Sequence, residues 1–214
     1  LWTNWDNVTL SNNIFAEALN DSLHPKGRHG YGVLFGPHNG KVAFIGNLIA
    51  HTADRNPLSR AGQMVMVNNA VYNRGYKDVD LQSERGISTK NTIVGNVFIR
   101  GSDHANKTRP VAVHTEVNQF ALPSGSRIYL ADNAAVEATD DPMSLLSIVG
   151  NSVPLTPYMA KTPPAWPAGL TRLPTQQNVV LEQVLKNVGA RPADRDPVDA
   201  RIVKSVRDGT GRII

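Results

Sequence analysis

Apolar and polar residues alternate along this chain in short bursts, each broken by an asparagine and then resumed. Val8-x-Leu10-x-x-Asn13-x-Phe15 recurs as Val42-x-Phe44-x-x-Asn47-x-Ile49 and as Met64-x-Met66-x-x-Asn69-x-Val71. A weaker copy surrounds Ile93, Asn96 and Phe98, and a degenerate one reads Ile128-x-Leu130-x-x-Asn133. The five asparagines stand 34, 22, 27 and 37 residues apart, so the unit is elastic. Alternation over four or five residues predicts a strand. A short strand, a bend at Asn and a second short strand describe one turn of a parallel β-helix, in which stacked asparagines bond to one another along a ladder. The bend is expected to use the left-handed backbone conformation that Asn and Gly tolerate. Loops of unequal length then leave successive coils. A β-sandwich would need closely spaced hairpins, yet Asn39-Gly40 is the one Asn-Gly pair. An α/β fold would need long amphipathic helices between strands, and residues 16 to 120 offer none. The predicted class is therefore all-β, a parallel β-helix or solenoid.

Beyond about residue 140 the pattern changes. Pro154, Pro157, Pro163, Pro164, Pro167 and Pro174 mark an extended segment, expected to lie along the outside of the solenoid. Two helices are predicted after it. The first runs from Gln177 to Asn187, stopped by Gly189. The second has Asp196 as N-cap, Pro197 at its first position and Gly209 as terminator. Val198, Ile202, Val203 and Val206 give the second helix an apolar face, able to cover an end or a side of the solenoid. Residues 1–150 are thus read as the solenoid and 151–214 as a Pro-rich segment and helical cap.

Composition narrows the chemistry. The 214 residues include no cysteine, which excludes disulfide scaffolds, thiolate metal sites and cysteine nucleophiles. Lys plus Arg number 22 against 18 Asp plus Glu, a net charge of +4. That excess is too small to argue for nucleic acid and suits a polyanionic partner of another kind. No apolar run approaches a membrane span. The six histidines include no His-x-x-x-His pair, which argues against zinc.

Two basic loops carry the candidate chemistry. His24-Pro25-Lys26-Gly27-Arg28-His29 lies one repeat ahead of Asp54-Arg55-Asn56-Pro57-Leu58-Ser59-Arg60. Loops leaving equivalent corners of successive coils lie about one strand spacing apart (~5 Å), so Lys26, Arg55 and Arg60 are expected to form a positive strip fitted to a linear polyanion. His29 and Tyr31 join them as substrate-binding candidates, Tyr31 for its ability to stack on a sugar ring. Asp78, Asp80, Asp103, Glu116, Asp140 and Asp141 read as scattered surface acids, a structural calcium site being the other reading.

Residues 7 to 75, from Asn-Val-Thr-Leu-Ser-Asn-Asn-Ile-Phe through Asn-Asn-Ala-Val-Tyr-Asn-Arg-Gly, resemble the pectate lyases of polysaccharide lyase family 1. The resemblance includes an Arg-x-Pro-x-x-Arg signature, here Arg55 to Arg60, an upstream lysine, here Lys26, and the tail from Asp196 to Gly211. It implies a right-handed β-helix and calcium-dependent β-elimination of polygalacturonate, the backbone of de-esterified pectin, to unsaturated oligogalacturonides. It further implies that Arg55 is the catalytic base and that Lys26 and Arg60 hold the acidic substrate. An arginine base needs neighbouring cations and desolvation to release its proton. The family's principal calcium-binding acids lie on coils before the lysine, so these ligands are expected upstream of Leu1, and no metal ligand is assigned here. The chain thus reads as an N-terminally truncated member, secreted, without its signal peptide, and able to self-associate through an uncapped solenoid end. Two alternatives stay open: a non-catalytic solenoid that binds acidic polysaccharide, and a calcium-independent pectin lyase, disfavoured by the scarcity of aromatics.

Overall fold

The structure is a computed structural model that describes residues 5–104, 108–115, 118–172 and 176–214. The protein is rich in parallel strands and poor in helices. Its strands are β1 (Val8–Ser11), β2 (Ile14–Ala16), β3 (Leu34–Ile45), β4 (Leu48–Ala50), β5 (Leu58–Val67), β6 (Ala70–Tyr72), β7 (Val79–Leu81), β8 (Lys90–Val94), β9 (Val97–Ile99), β10 (Val111–His114), β11 (Arg127–Ala131) and β12 (Leu146–Val149). They form an eight-stranded and a four-stranded sheet, the latter in the order β2-β4-β6-β9. The larger sheet forks at β5, whose Leu58 and Ser59 pair with β7 while Gln63 to Val67 pair with β8. One branch continues through β10 to β12 and the other through β11.

The repeats read from the sequence lie against one another in register. Val8 pairs with Val42, Val42 with Met64, Met64 with Asn91 and Asn91 with Ile128, all in parallel. Inward-facing residues of the three strand sets, among them Phe35, Phe44, Met64, Met66, Leu81, Ile93, Val113 and Ile128, merge into one core.

Between the second branch and the four-stranded sheet runs the asparagine ladder. Asn47 Oδ1 accepts from the backbone N–H and from Nδ2 of Asn13, at 2.9 and 3.0 Å. Asn69 does the same for Asn47, Asn96 for Asn69, and Asn133 for Asn96. Each rung thereby satisfies a bend amide that no strand partner reaches. The left-handed position, however, is the residue before each rung: Asn12, Gly46, Asn68, Gly95 and Asp132 have φ of 56, 65, 53, 66 and 56°. The bend thus uses Asn or Gly in this conformation as expected, with Asp132 in the last copy, and the ladder asparagine is the residue after it. The alternation of Asn and Gly there has a steric cause as well. A Cβ on Gly46 would meet Asn12 Oδ1 at 2.7 Å, and one on Gly95 would meet Asn68 Nδ2 at 2.6 Å.

The predicted helices form at the expected positions, α1 (Gln177–Asn187) and α2 (Pro197–Asp208). Asp196 Oδ1 accepts from the N–H groups of Val198 and Asp199, and Gly209 ends α2 at φ 66°. Both helices cover a side, the outer face of the four-stranded sheet. Val180, Val184, Leu185, Ile202, Val203 and Val206 bury against Leu48, Ala50, Ala70, Tyr72 and Val97.

A second set of left-handed residues, Glu17, His51 and Asn73, follows β2, β4 and β6. Each grips the C-terminal region. Glu17 makes a two-pronged ion pair with Arg201 at 2.5 and 2.6 Å, and His51 Nε2 lies 2.9 Å from Ser205 Oγ. Asn73 donates to Asp103 Oδ2, which also accepts from the Ile213 amide. Because Asn73 Oδ1 accepts from the Asp103 N–H, its Nδ2 must be the atom donating to His51 Nδ1. His51 is therefore neutral, with its proton on Nε2.

Burial lowers the His51 pKa below 6.5, against the opposing pull of Glu17 and Asp103. The unfolded imidazole takes up its proton near 6.5 and the folded one resists, so this contribution is complete above that value and is lost as pH falls through the folded pKa. The unfolding midpoint is expected to drop between pH 7.5 and 5. His51→Gln should flatten that slope in thermal melts recorded across the range.

Candidate functional site

The site lies where the first branch of the large sheet meets the loop from His51 to Pro57. Arg55 stands in the left-handed region at φ 62°, a rare conformation for a long side chain. It is held there from several directions. Its N–H donates to Asp54 Oδ1 at 2.8 Å, and its carbonyl accepts from Val33 at 2.7 Å. The next residue, Asn56, donates from its backbone to Asp78 O and from its side chain to Lys77 O. Asn56–Pro57 is a cis peptide.

The half-buried Arg55 side chain then projects over Tyr31, its Cζ 4.5 Å from the ring centre. Tyr31 touches the His29 ring at 3.8 Å, and His29 stacks on His24 at 4.0 Å with the planes 5° apart. The exposed Lys26 belongs to the same loop, its amide donating to His24 Nδ1. Desolvation, then the positive fields of His24, Arg55 and Lys26, lower the His29 pKa. Four of the five residues singled out from the sequence, Lys26, His29, Tyr31 and Arg55, are thus brought together. Among the described residues neither Lys26 nor Arg55 makes an ion pair.

Arg60 differs. It points outward from β5 beside Gln82, its Nε donating to Gln82 Oε1 at 2.9 Å and its Nη1 pairing with Glu84 Oε2 at 2.5 Å. Its Cζ sits 4.2 Å from the centre of the Phe120 ring. Burial lowers its pKa, with Glu84 opposing. Its charge is therefore already matched within the protein.

Next to it lies a buried network that inspection of the sequence missed. Asp80, 1% exposed, faces His114 Nε2 at 2.8 Å through Oδ1 and Lys77 Nζ at 2.7 Å through Oδ2. Lys77 also reaches Asp54 at 3.6 Å, so it ties the Arg55 loop to the sheet. Burial opposes the charge on Asp80, but the adjacent His114 and Lys77 outweigh it and its pKa falls; burial raises Asp54. The Lys77 pKa rises, since Asp80 and Asp54 overcome its own burial. The available signal was the alternation Val79-Asp80-Leu81 and Val111-Ala112-Val113-His114, which sets Asp80 and His114 on the outward face of neighbouring strands. Lys77→Met would leave two facing carboxylates without their cation. Urea denaturation should show a loss of about 2 kcal/mol, below the ~3–5 kcal/mol of a fully buried broken pair because Lys77 is partly exposed.

Asp78 and Asp80 are buried, which corrects their reading as surface acids. Asp78 pairs with Arg74 at 2.6 Å, and burial pushes its carboxyl up to about 7. Asp103 is taken by Asn73 and Ile213, Asp141 caps a short helical turn, and Glu116 lies outside the described residues. Among the described residues no three carboxylate or imidazole groups converge to hold a metal. The carboxylates beside Arg55 both face Lys77, so these residues do not fit a calcium ion, and no step below uses one.

Compared with models of known protein families and with curated proteins, the chain matches none.

Proposed function

We propose that this chain is a parallel β-helix protein acting on acidic polysaccharide, and that it cleaves polygalacturonate by β-elimination. The observation that carries this reading is the Arg55–Tyr31–His29–His24 column, a guanidinium held by a rare backbone conformation over an aromatic row beside the exposed Lys26. The continuous parallel register from β1 through β11 supports a solenoid.

In this reaction Arg55 takes the proton from C5 of a uronate, the C5–H electrons become the C4=C5 double bond, and the glycosidic oxygen leaves C4, gaining a proton from water. Lys26 offsets the charge that develops next to the substrate carboxylate. A π face holds the cationic form of arginine, so Arg55 leaves Tyr31 when it acts as base.

The test is near-ultraviolet absorbance of the unsaturated product from polygalacturonate, with calcium and with a chelator. Growth of the signal establishes a lyase, and the two arms decide the family expectation of calcium dependence. A flat trace from folded protein that still binds the polymer selects the non-catalytic reading, for which the unpaired Lys26 and Arg55 would suffice.

A further inference from the structure

The second branch of the large sheet carries a row of outward positions farther along β3 and β5 than the Arg55 loop. Lys41 pairs with Gln63, Gln63 with Lys90, and Lys90 with Arg127. Their neighbours Val42, Met64, Asn91 and Ile128 are buried, so these four side chains face away from the core at steps of about 4.8 Å. Lys41, Lys90 and Arg127 are exposed. Among the described residues none of the three makes an ion pair, and Arg127 Nη1 donates only to the carbonyls of Ser124 and Ser126. Asp6 accepts from the amides of Lys41 and Asn7 and from Asn7 Nδ2.

Alongside this row lies the Pro-rich segment. Thr92 Oγ1 donates to Ala165 O at 2.9 Å, and Ala165 and Leu170 pack on Val65, Val67, Val94 and Tyr129. Toward β1 the segment stands off, leaving a groove of about 400 Å3 lined by Thr9, Lys41, Ala43, Gln63, Trp166 and Pro167 among others. Trp166 keeps 38% of its surface exposed while its Nε1 donates to Leu170 O at 3.1 Å, which fixes the ring as a wall.

We infer that this groove and the Lys41–Lys90–Arg127 row form a second binding site, separate from the Arg55 loop, for a strand of acidic polysaccharide. Trp166 offers an apolar face to a sugar ring, Gln63 and Thr9 offer hydrogen bonds to hydroxyls, and the cations, two strand steps apart from Lys41 to Lys90 and one from Lys90 to Arg127, meet carboxylates along the polymer. The inference rests on the reading of the chain as an acidic-polysaccharide protein but not on the chemistry of Arg55. A site of this kind keeps the protein on the polymer while the Arg55 loop engages it elsewhere, which multiplies retention without a new catalytic contact.

The test is affinity electrophoresis through polygalacturonate, with neutral galactan and duplex DNA as comparison gels, in an Arg55→Asn background so that turnover cannot intervene. Trp166→Ala and the pair Lys41→Gln, Lys90→Gln are each expected to weaken retention by polygalacturonate roughly tenfold. Trp166→Phe and Lys41→Arg should restore most of it, and added salt should erase the lysine effect before the tryptophan effect. Unchanged melting temperatures show that the variants are folded. The inference is overturned if the variants are retained like their parent, if the parent is not retained at all, or if duplex DNA is held equally with the same dependence. A lyase assay that stays flat while the groove variants lose retention would sink the Arg55 reaction and leave the groove standing.

Discussion

Replacing Arg55 by alanine should lower turnover of polygalacturonate by about 10²–10⁴-fold while the protein still binds the polymer. The expected split follows from what the residue does in the proposed reaction, since removing a base costs the transition state rather than the complex. Alanine alone is an imperfect probe. Residue 55 has φ 62°, and a left-handed conformation costs most side chains ~1–2 kcal/mol. Arg55→Asn keeps a residue that tolerates this backbone and should give the same kinetic loss with less change in stability. Arg55→Lys should not rescue, because an ammonium lacks the planar fork. A variant that keeps the parental rate with full stability would remove Arg55 from the chemistry.

The largest stability loss is expected in the middle of the ladder. Asn69 is fully buried, its Oδ1 accepts from the Asn47 N–H at 2.8 Å, and its Nδ2 donates to Phe44 O and Asn96 Oδ1 at 2.9 Å each. Asn69→Ala strands the Asn47 amide away from water and removes one of two donors to the Phe44 carbonyl. At ~1–3 kcal/mol for the orphaned amide and ~1 kcal/mol for each further bond lost, the total comes to about 3 kcal/mol. Asn69→Asp keeps the acceptor but loses both donors and buries a charge, so it should do no better. Asn13 is half-buried at the first rung, and its replacement should cost about 1 kcal/mol. Urea titrations of the three variants would give the order. Equal losses at Asn13 and Asn69 would mean that burial does not set the value of a rung.

The strand-bend-strand units and both helices were legible because their signals are local. Alternation, a fixed Asn offset and two well-marked caps lie within a few residues of one another. The left-handed bend residue was hidden by the doublets Asn12-Asn13 and Asn68-Asn69, where either residue satisfies the conformational argument. The clustering of Lys26, His29, Tyr31 and Arg55 followed from loops at one corner of neighbouring repeats. The partners of Arg60 did not, because Gln82 and Glu84 arrive from the next strand after a separation that no motif records. Asp80 and His114 stayed obscure for a related reason. Strands as short as β7 show too little alternation for a buried charge to stand out from a surface one.

The asparagine rungs also divide the chain into parts that can and cannot change length. The spans 8–16, 42–50, 64–72 and 91–99 superimpose residue for residue across the pairings, while all variation in repeat length falls between them. One residue inserted inside a span would turn apolar side chains outward and break a rung on both sides. A dozen inserted between spans would only lengthen a surface connection, at a cost that grows slowly with length. Such a chain can acquire new loops beside the Arg55 column, and with them new surface contacts, without renegotiating its core. Its evolvable surface and its rigid frame are written in alternate stretches of the same sequence.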